Sequence, residues 1–482
     1  MAVDFVKDSS DFINLFIKLN NRIQALSARD SDTQIKEYFL HYLPSVVPNG
    51  EIRRLMPEVH LEVLDTTSQY LLDSAKMQGQ NPDHNSLILD VSADFFRYLR
   101  NACVKNSVNQ DMILRNLSSA VHLVHILVEK YLSREDCVDS DLLRSVKIGL
   151  QFVGNLVTGN TKTQDYCWGI FYDEHHLFNG LLRNQDPKVS EISSMILYNC
   201  LNSSRIKQLT DSQVGIEIID ALITHVAEGV CEWSLYVVNN LVQNEGFFLR
   251  CYDKISMRNR LLVLDLVLEE LTTNKESASQ QFSVPSSAVI LWKEKFKNVA
   301  VNMLKTCSDS TQLDLEAVEV KKILNVLCVI STLPALSDDL KQDCWLLESL
   351  VETLKSIHLL GKTGTNYFTP IQSLQEINDC SLSIETHPAY EFKKNLIRLI
   401  GNLCYEYQRN QDMVRNLDGI PLILDCCNLD ARNPYILQWS IFAIRNLLNK
   451  NKENQKVVAN MSATGVLVNN DILTELGQLE RS

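Results

Sequence analysis

The sequence contains little of the two residues that interrupt helices. Glycine occurs 16 times and proline 11 times among 482 residues, which suits a mostly helical chain. Apolar runs of membrane-spanning length are missing too, because a stretch such as LLVLDLVL at 261–268 is short and is interrupted by Asp265. We therefore expect a helical protein that does not insert into a membrane.

Basic charge is also scarce. Lysine and arginine total 46 against 59 aspartates and glutamates, so the formal net charge is −13. Binding to nucleic acid or to an anionic membrane surface needs basic patches that release counterions or meet acidic headgroups. The composition argues against both as general functions and leaves room for a local basic groove.

The signals of secretion are missing as well. The first residues, MAVDFVKDSSDF, carry acidic side chains where a secretory signal has a cationic run followed by an apolar one. The 13 cysteines are scattered without a CxxC spacing, and the adjacent Cys426 and Cys427 are the only close pair. We expect a cytoplasmic protein with reduced and mostly buried thiols.

No motif predicts catalysis or a cofactor. Gly361, Lys362 and Thr363 match the end of a phosphate-binding loop, but Ser356 stands where that loop needs glycine. Four histidines lack acids or thiols at a metal-ligand spacing, which favours ordinary helical histidines over a metal site: His122, His125, His175 and His176. We predict no catalytic, cofactor or metal residue, although a site assembled across distant segments is not visible in a sequence.

The chain does contain a repeated segment. LIGNLCYEYQRNQDMV at 399–414 recurs as AIRNLLNKNKENQKVV at 443–458, which places Asn402 and Asn446 44 residues apart. Armadillo and HEAT repeats are about 40 to 47 residues long. The spacing therefore predicts an all-α, armadillo- or HEAT-like, right-handed helical solenoid.

Each repeat is expected to contain a short, a medium and a long helix. Apolar residues from Phe392 to Leu403 recur on one face of a helix. Asn410, eight residues after Asn402, is expected to cap the next helix, since an asparagine side chain accepts hydrogen bonds from the free N–H groups there. None of these helices buries its apolar face alone, so neighbouring repeats must stack.

The pattern occurs elsewhere in the chain. FFRYLRNACVKNSVNQDMI at 95–113 and GLQFVGNLVTGNTKTQDYCW at 149–168 repeat it, with Thr163 in place of the expected capping asparagine. Two further copies follow at a similar spacing. The asparagines that recur at one position, which we call the anchor asparagines, are Asn101, Asn155, Asn199, Asn240, Asn402 and Asn446.

The anchor asparagines are missing between Asn240 and Asn402, which suggests two lobes. A loop as long as the one after residue 360 is usually functional or disordered. We predict armadillo-like repeats at 1–272, a polar hinge at 273–288, a helical connector at 289–360, a long irregular loop at 361–390 and a carboxy-terminal domain at 391–482.

The anchor asparagines have two interpretations. In armadillo proteins that bind extended peptides, an asparagine near the end of the third helix binds the peptide backbone, and Arg398 would belong to the same concave face. The favoured alternative is that these side chains bond to local backbone. Four positions before each anchor, importin-type grooves carry tryptophan, but this chain has Arg97 and Arg398 among those positions and no tryptophan. A groove with two arginines would favour an acidic or phosphorylated peptide.

Several segments carry a specific resemblance. IRLIGNLCYEYQRNQDMV and the following LDGIPLILDCCNLDARNPYILQWSIFAIRNLL resemble the carboxy-terminal domain of the ataxin-10 family, and FRYLRNACVKNSVNQ and GLQFVGNL resemble its amino-terminal half. The resemblance implies a non-enzymatic, armadillo-like cytoplasmic protein that self-associates and acts in cytokinesis, neurite outgrowth and neuronal survival. It also implies O-GlcNAc transferase, a G-protein β subunit and a polo-like kinase as partners, and the perinuclear cytoplasm, centrosome or basal body, and midbody as locations.

The leading hypothesis is a protein–protein interaction scaffold. The alternatives are a receptor that transports a bound peptide or cargo, and an uncharacterised enzyme. Self-association through the carboxy-terminal lobe is expected, because NNDILTELGQL at 469–479 offers only a thin cap for the last apolar face. A closed two-fold pair would be the commonest arrangement, and a monomer closed by that cap is the alternative.

Overall fold

The computed structural model describes residues 58–76, 82–133, 139–229, 231–273, 283–307, 314–372 and 385–461. Over these residues all regular secondary structure is helical and no β-strand occurs, which confirms the predicted all-α, armadillo-like repeat class. The first 57 residues of the predicted amino-terminal repeats and the proposed cap at 469–479 lie outside the described residues.

Contacts divide the chain into two units, Met1–Leu241 and Val242–Ser482. A π-helical segment, Gly169–Glu174, interrupts the first unit. Its described helices are α1 Glu58–Lys76, α2 Pro82–Cys103, α3 Ser107–Asn116, α4 Ser118–Leu132, α5 Ser140–Val157, α6 Thr161–Trp168, α7 Leu177–Leu182, α8 Pro187–Cys200, α9 Ser203–Asp211, α10 Gln213–Ala227 and α11 Glu232–Val242.

The second unit begins at the end of α11. A 3-10 segment, Ala300–Cys307, follows its third helix. The helices described in this unit are α12 Glu245–Arg250, α13 Met257–Thr273, α14 Ser286–Val299, α15 Leu315–Ile330, α16 Pro334–Gln342, α17 Cys344–Lys362, α18 Phe392–Leu403, α19 Gln408–Asn416, α20 Gly419–Asp425, α21 Ile436–Leu448 and α22 Lys452–Ala459.

The division between the units falls earlier than the predicted hinge at 273–288. α13 packs on α15, and α15 packs on α18, so the helix before the predicted hinge belongs with the helices after it. This packing is the physical reason why the contacts divide the chain at Leu241. The five predicted domain limits stay predictions.

The long helices of successive repeats pack side by side. In the first unit α5 lies between α2 and α8, and the buried rings of Phe96 and Phe152 stack with centroids 6.1 Å apart. A Cβ atom on Gly149 would lie 3.0 Å from Val124 and 3.1 Å from Phe96, so glycine allows this close approach. The repeat core is therefore built from apolar helix faces, and each of these faces is buried only because a neighbouring repeat covers it.

The medium helix of each repeat begins earlier than the sequence predicted. Asn106, Asn160 and Asn451 accept hydrogen bonds from backbone N–H groups at the starts of α3, α6 and α22. In the remaining copy α19 starts after Tyr407, and Asn410 lies inside the helix. The prediction that Asn410 caps this helix is therefore wrong.

The side chain of Asn410 instead forms a hydrogen bond with the preceding helix, α18. It is buried, and its Nδ2 donates to the backbone oxygen of Leu403 at 2.9 Å. Asn109, Thr163 and Asn454 make the same bond seven residues back along the chain. The recurring polar residue thus satisfies a carbonyl at the end of one helix from within the next, which leaves the capping position to another residue.

The glutamine beside it connects neighbouring repeats. Gln110 Nε2 donates to the backbone oxygen of Asn155 at 2.8 Å, and Gln411 Nε2 donates to that of Asn446 at 2.9 Å. Both glutamines are buried, where an unmade hydrogen bond is costly. The repeated Asn-Gln pair is therefore a structural device that holds one repeat on the next.

The sequence led us to expect buried, reduced cysteines and no membrane-spanning helix, and both expectations can be compared with the described residues. Ten cysteines there are free, and all except Cys344 and Cys427 are buried. In that part of the chain no single helix is both long and apolar enough to cross a membrane, and the bent pair α15 and α16 passes this test only when its two helices are combined.

Candidate functional site

An open cleft of about 510 Å³ lies in the second unit. It crosses the long helices of consecutive repeats, α13, α15 and α18, which pack in that order. Residues that line it include Asp265 and Glu269 from α13, Asn325 and Val329 from α15, and Asn395 and Arg398 from α18. We call this the second-unit cleft, and it contains the predicted site residue Arg398.

Arg398 is held by an aromatic ring rather than by an acid. Its guanidinium carbon lies 4.8 Å from the centre of the Trp439 ring on α21, at cation–π distance. Its Nε is buried without a hydrogen-bond partner, and no ion pair to Arg398 is found among the described residues. A positioned guanidinium with unused donors is suited to a carboxylate or phosphate.

Three other charged residues of the cleft lining are ion-paired, namely Asp265, Glu391 and Lys394. Lys394 Nζ donates to Glu391 at 2.6 Å, and Lys322 pairs with Asp265. Burial lowers the pKa of the Lys321 ammonium, with the nearby Glu391 acting in the opposite direction. Of the two basic residues that line the cleft, Lys394 is ion-paired and Arg398 is not, while among the lining acids Glu269 also has no ion pair to a described residue.

Two asparagines in the cleft lining are bonded to each other. Asn395 is buried, and its Nδ2 donates to Asn325 Oδ1 at 2.7 Å. Asparagine side chains carry donors and acceptors of the kind that bind an extended backbone. Neither residue stands at the anchor position, so neither was predicted; for Asn395 the available signal was its place three residues before Arg398 on one face of α18.

The anchor asparagines of the second unit bond to the preceding repeat. Asn402 Nδ2 donates to Ser331 Oγ at 2.8 Å, and Asn446 Nδ2 donates to the backbone oxygen of Gly401 at 2.9 Å. Both side chains are half-buried. One bond leaves the second N–H and the carbonyl oxygen of a carboxamide unused, so local bonding and ligand binding are compatible.

The anchor asparagines of the first unit differ from one another in their hydrogen-bond partners. Asn155 Nδ2 donates to the backbone oxygen of Arg100 at 3.0 Å, and Asn199 Nδ2 donates to Thr158 Oγ1 at 3.2 Å, so both again reach the preceding repeat. Asn240 bonds to Tyr236 within its own helix. Asn101 accepts a hydrogen bond from Arg100 Nε at 3.3 Å. Four of the six residues belong to the first unit and two to the second.

The residues four positions before the anchors have different surroundings. Arg97 is paired with Asp94, which reduces its value for an acidic peptide. Tyr236 and Phe442 are 45% and 52% exposed. Three positions before each of these aromatic residues the sequence has a tryptophan, and in the second unit the rings of Trp439 and Phe442 lie 6.1 Å apart.

The same arrangement occurs before Asn240. Trp233 and Tyr236 have ring centroids 5.8 Å apart, and Tyr198 packs against both. Both tryptophans stand seven residues before an anchor asparagine, two helical turns away on the same face, so the position four residues before the anchor did not reveal them. An aromatic pair beside an anchor asparagine thus occurs once in each unit.

Comparisons with known proteins identify the family. The chain is 34% identical to Ataxin-10 of Bos taurus over 420 residues, which covers 86% of this chain and 85% of the relative. It is 35% identical to Ataxin-10 of Homo sapiens, covering 81% and 79% of the two chains. The chain belongs to the ataxin-10 family.

The carboxy-terminal resemblance is confirmed separately. A family model described as spinocerebellar ataxia type 10 protein domain matches residues 392–480. The described residues within this matched range include Arg398, Trp439 and the anchor asparagines of the second unit. Among solved structures, one titled as Uso1-2 is 13% identical with a TM-score of 0.39, covering 92% of this chain and 74% of that one. A likeness this weak says nothing about a shared function.

Proposed function

We propose that this ataxin-10 family member is a non-enzymatic interaction scaffold whose second-unit cleft binds an acidic or phosphorylated segment of a partner protein. The observation that carries the proposal is Arg398, positioned over Trp439 at 4.8 Å and without an acidic partner among the described residues. Asn325 and Asn395 beside it offer polar groups to an extended backbone. Repeat proteins commonly bind along such elongated surfaces.

The test is binding of acidic, phosphorylated and neutral peptide libraries to the full chain and to two variants. Arg398→Gln should weaken the acidic or phosphorylated binders by about tenfold, the loss expected for one charge-assisted hydrogen bond of about 1.5 kcal/mol. Arg409→Gln removes an exposed arginine that does not line the cleft and should leave binding unchanged. Equal effects of the two changes, or preference for neutral peptides, would overturn the proposal.

A receptor that transports a single cargo is the alternative. It would hold one class of short peptide in one saturable groove, whereas a scaffold binds several proteins over wide surfaces. Peptide competition separates the two: a cleft-binding peptide should displace only some of the proteins retained by the full chain. Displacement of every retained protein would favour the receptor.

We also propose that the chain self-associates through its second unit. Ile441 on α21 is 58% exposed, and Phe442 beside it is also exposed. Paired apolar residues on a repeat surface are suited to a second copy. In sedimentation of the full chain, Ile441→Glu should shift the protein towards monomer, while Ile290→Glu, at 57% exposed a matched control, should not. Self-association that survives the first change alone would contradict this assignment.

The cellular roles follow the same proposal. By family resemblance the partners would be O-GlcNAc transferase, a G-protein β subunit and a polo-like kinase. The locations would be the perinuclear cytoplasm, the centrosome or basal body, and the midbody, with roles in cytokinesis, neurite outgrowth and neuronal survival. Each partner can be tested by purifying it with the full chain and with the Arg398→Gln variant. A partner that binds both chains equally does not use the cleft.

A further inference from the structure

A cluster of two imidazoles and a carboxylate lies in the first unit, away from the anchor asparagines. His125 and Glu129 are one turn apart on α4, and His175 follows the π-helical segment between α6 and α7. Fifty residues of sequence separate the two histidines, and their spacing alone predicts ordinary helical residues. The fold brings His125 Nε2, a carboxylate oxygen of Glu129 and a ring nitrogen of His175 within 4.8 Å of one another.

We propose that His125, Glu129 and His175 bind a divalent transition metal ion of the zinc class. Glu129 Oε1 lies 2.9 Å from His125 Nε2 and 3.4 Å from His175 Nδ1. Ligands bound to zinc at roughly 2.0 to 2.1 Å in a tetrahedron are themselves roughly 3.4 Å apart. The two separations from Glu129 are therefore already close to what one shared ion requires, and all three donor atoms lie within 4.8 Å of one another.

The buried histidine supports a metal over a simple ion pair. His125 is only 5% exposed, and its Nε2 has no hydrogen-bond partner although a carboxylate oxygen lies 2.9 Å away. The distance fits a hydrogen bond but the direction does not, so this nitrogen points beside the carboxylate oxygen. A metal ion between them would satisfy the nitrogen lone pair and the carboxylate charge together.

The packing of the two rings points the same way. The ring centroids of His125 and His175 lie 3.7 Å apart. This close packing brings a ring nitrogen from each repeat to the same carboxylate, as a shared ion requires.

The donor set and its exposure define the class of ligand. Two nitrogens and one carboxylate suit zinc, whereas calcium and magnesium prefer oxygen donors. Glu129 and His175 are exposed, so the ion can enter from solvent and a water can complete the fourth position. Because α4 belongs to one repeat and His175 to the next, the ion would link two repeats.

The local backbone holds His175 in place. The segment just before it, Gly169–Glu174, is π-helical, and the following residue, His176, has a φ of +52°. π-Helical turns inside helical proteins frequently occur at functional sites. Next to the cluster, His122 Nε2 bonds to the hydroxyl of Tyr166 at 3.0 Å, so this nitrogen already has a partner.

The test uses the full chain, stripped with a chelator and kept reduced, in equilibrium dialysis against zinc chloride. His175→Ala and Glu129→Gln change exposed ligands and should each remove about one zinc per chain. Each should weaken binding by at least the roughly tenfold to hundredfold seen when an outer-shell partner is lost. His176→Asn is the matched control, because it removes the adjacent exposed imidazole and asparagine tolerates the left-handed backbone there.

Melting curves decide between a bound metal and a general loss of structure. Without zinc the two variants should melt close to the unchanged chain; with zinc, the melting temperature should rise for the unchanged chain and for His176→Asn but not for the two variants. If one variant has a lower melting temperature than the unchanged chain without metal, the effect of zinc on the melting temperature of the other variant tests the proposal. Equal zinc content in all four proteins would overturn the proposal. So would a cobalt-substituted spectrum dominated by thiolate charge transfer, since thirteen cysteines offer competing ligands.

Discussion

Gln411 donates its side-chain amide to the backbone oxygen of Asn446, 2.9 Å away in the next repeat. The same amide also reaches Cys404 at the end of its own repeat's long helix, at 3.2 Å. One buried side chain thus satisfies carbonyls of two helix ends that helix geometry leaves without partners. The recurring Asn-Gln pair is explained by this stacking role, whether or not a partner binds nearby.

Replacing that glutamine should destabilise the second unit. Gln411→Ala leaves buried carbonyls without donors, so the free energy of unfolding should fall by about 1 to 3 kcal/mol. Gln455→Ala is the matched control, since Gln455 is exposed and, among the described residues, its side chain bonds only to the backbone oxygen of Leu448 behind it. Its loss should cost less than about 0.5 kcal/mol, in the range usual for surface changes. Urea unfolding of both variants measures the difference, and similar losses would contradict the stacking role.

A missing helix cap offers a stabilising change. Tyr407 has φ −131° and ψ 89°, nearly the angles of Asn106, φ −136° and ψ 88°, yet it provides no side-chain cap for α19. Tyr407→Asn should therefore create the missing hydrogen bond and raise stability by up to about 1 kcal/mol. The reverse control is Asn202→Ala, which removes an existing exposed cap at Arg205 N and should lose a similar amount. A lower melting temperature for Tyr407→Asn would mean that the half-buried ring contributes more than a cap.

The period of the repeat could be read from the sequence because helix faces and loop residues recur at fixed spacing. The position of Asn402 and Asn446 near the ends of long helices was predicted for the same reason. The role of Asn410 could not be predicted. An asparagine near a helix start can cap that helix or donate to a carbonyl of the preceding helix, and the same sequence fits both. Only the fold shows that this side chain faces backwards.

The candidate sites depended more strongly on tertiary structure. Arg398 was singled out by its spacing from an anchor, but its contact with Trp439 joins residues from different repeats. Glu129 is four residues from His125 on the same helix, whereas His175 comes from the following repeat. Such pairs follow from how repeats stack, which one repeat's sequence does not specify.

Stability should fall on mild acidification. Burial lowers the pKa of His225 below its ordinary value of 6.5, opposed in part by a hydrogen bond to the backbone of Leu182. Below pH 6.5 the unfolded chain therefore binds a proton that the folded chain binds less readily, and the free energy of unfolding decreases as the pH falls. His225→Gln should flatten this dependence between pH 7 and pH 5. The exposed His176→Asn is the control, and an unchanged slope for His225→Gln would contradict the assignment.

Proteolysis can decide between the predicted hinge and the contact-based division. If the predicted domain limits hold, the first cuts should fall within 273–288 or 361–390, since proteases need a chain segment free of packed helices. A first cut next to Leu241 would instead favour the division into two units there. Intact-mass analysis of a short digestion with two proteases of different specificity identifies the site. A first cut within 95–229 would contradict both.

The anchor asparagines are tested by separating stability from partner binding. Asn446 reaches the backbone of the preceding repeat, whereas Asn240 bonds only within its own helix, to Tyr236 at 2.8 Å. Asn446→Ala should therefore lower the free energy of unfolding by about 1 kcal/mol, the usual net value of one hydrogen bond. Asn240→Ala should change it little, because the side chain is exposed and its bond can be replaced by water. If Asn446→Ala leaves stability unchanged but weakens a protein or peptide that binds the second unit, its carboxamide acts on a partner. If both variants lose the same stability, the inter-repeat bond is not what distinguishes the anchor position.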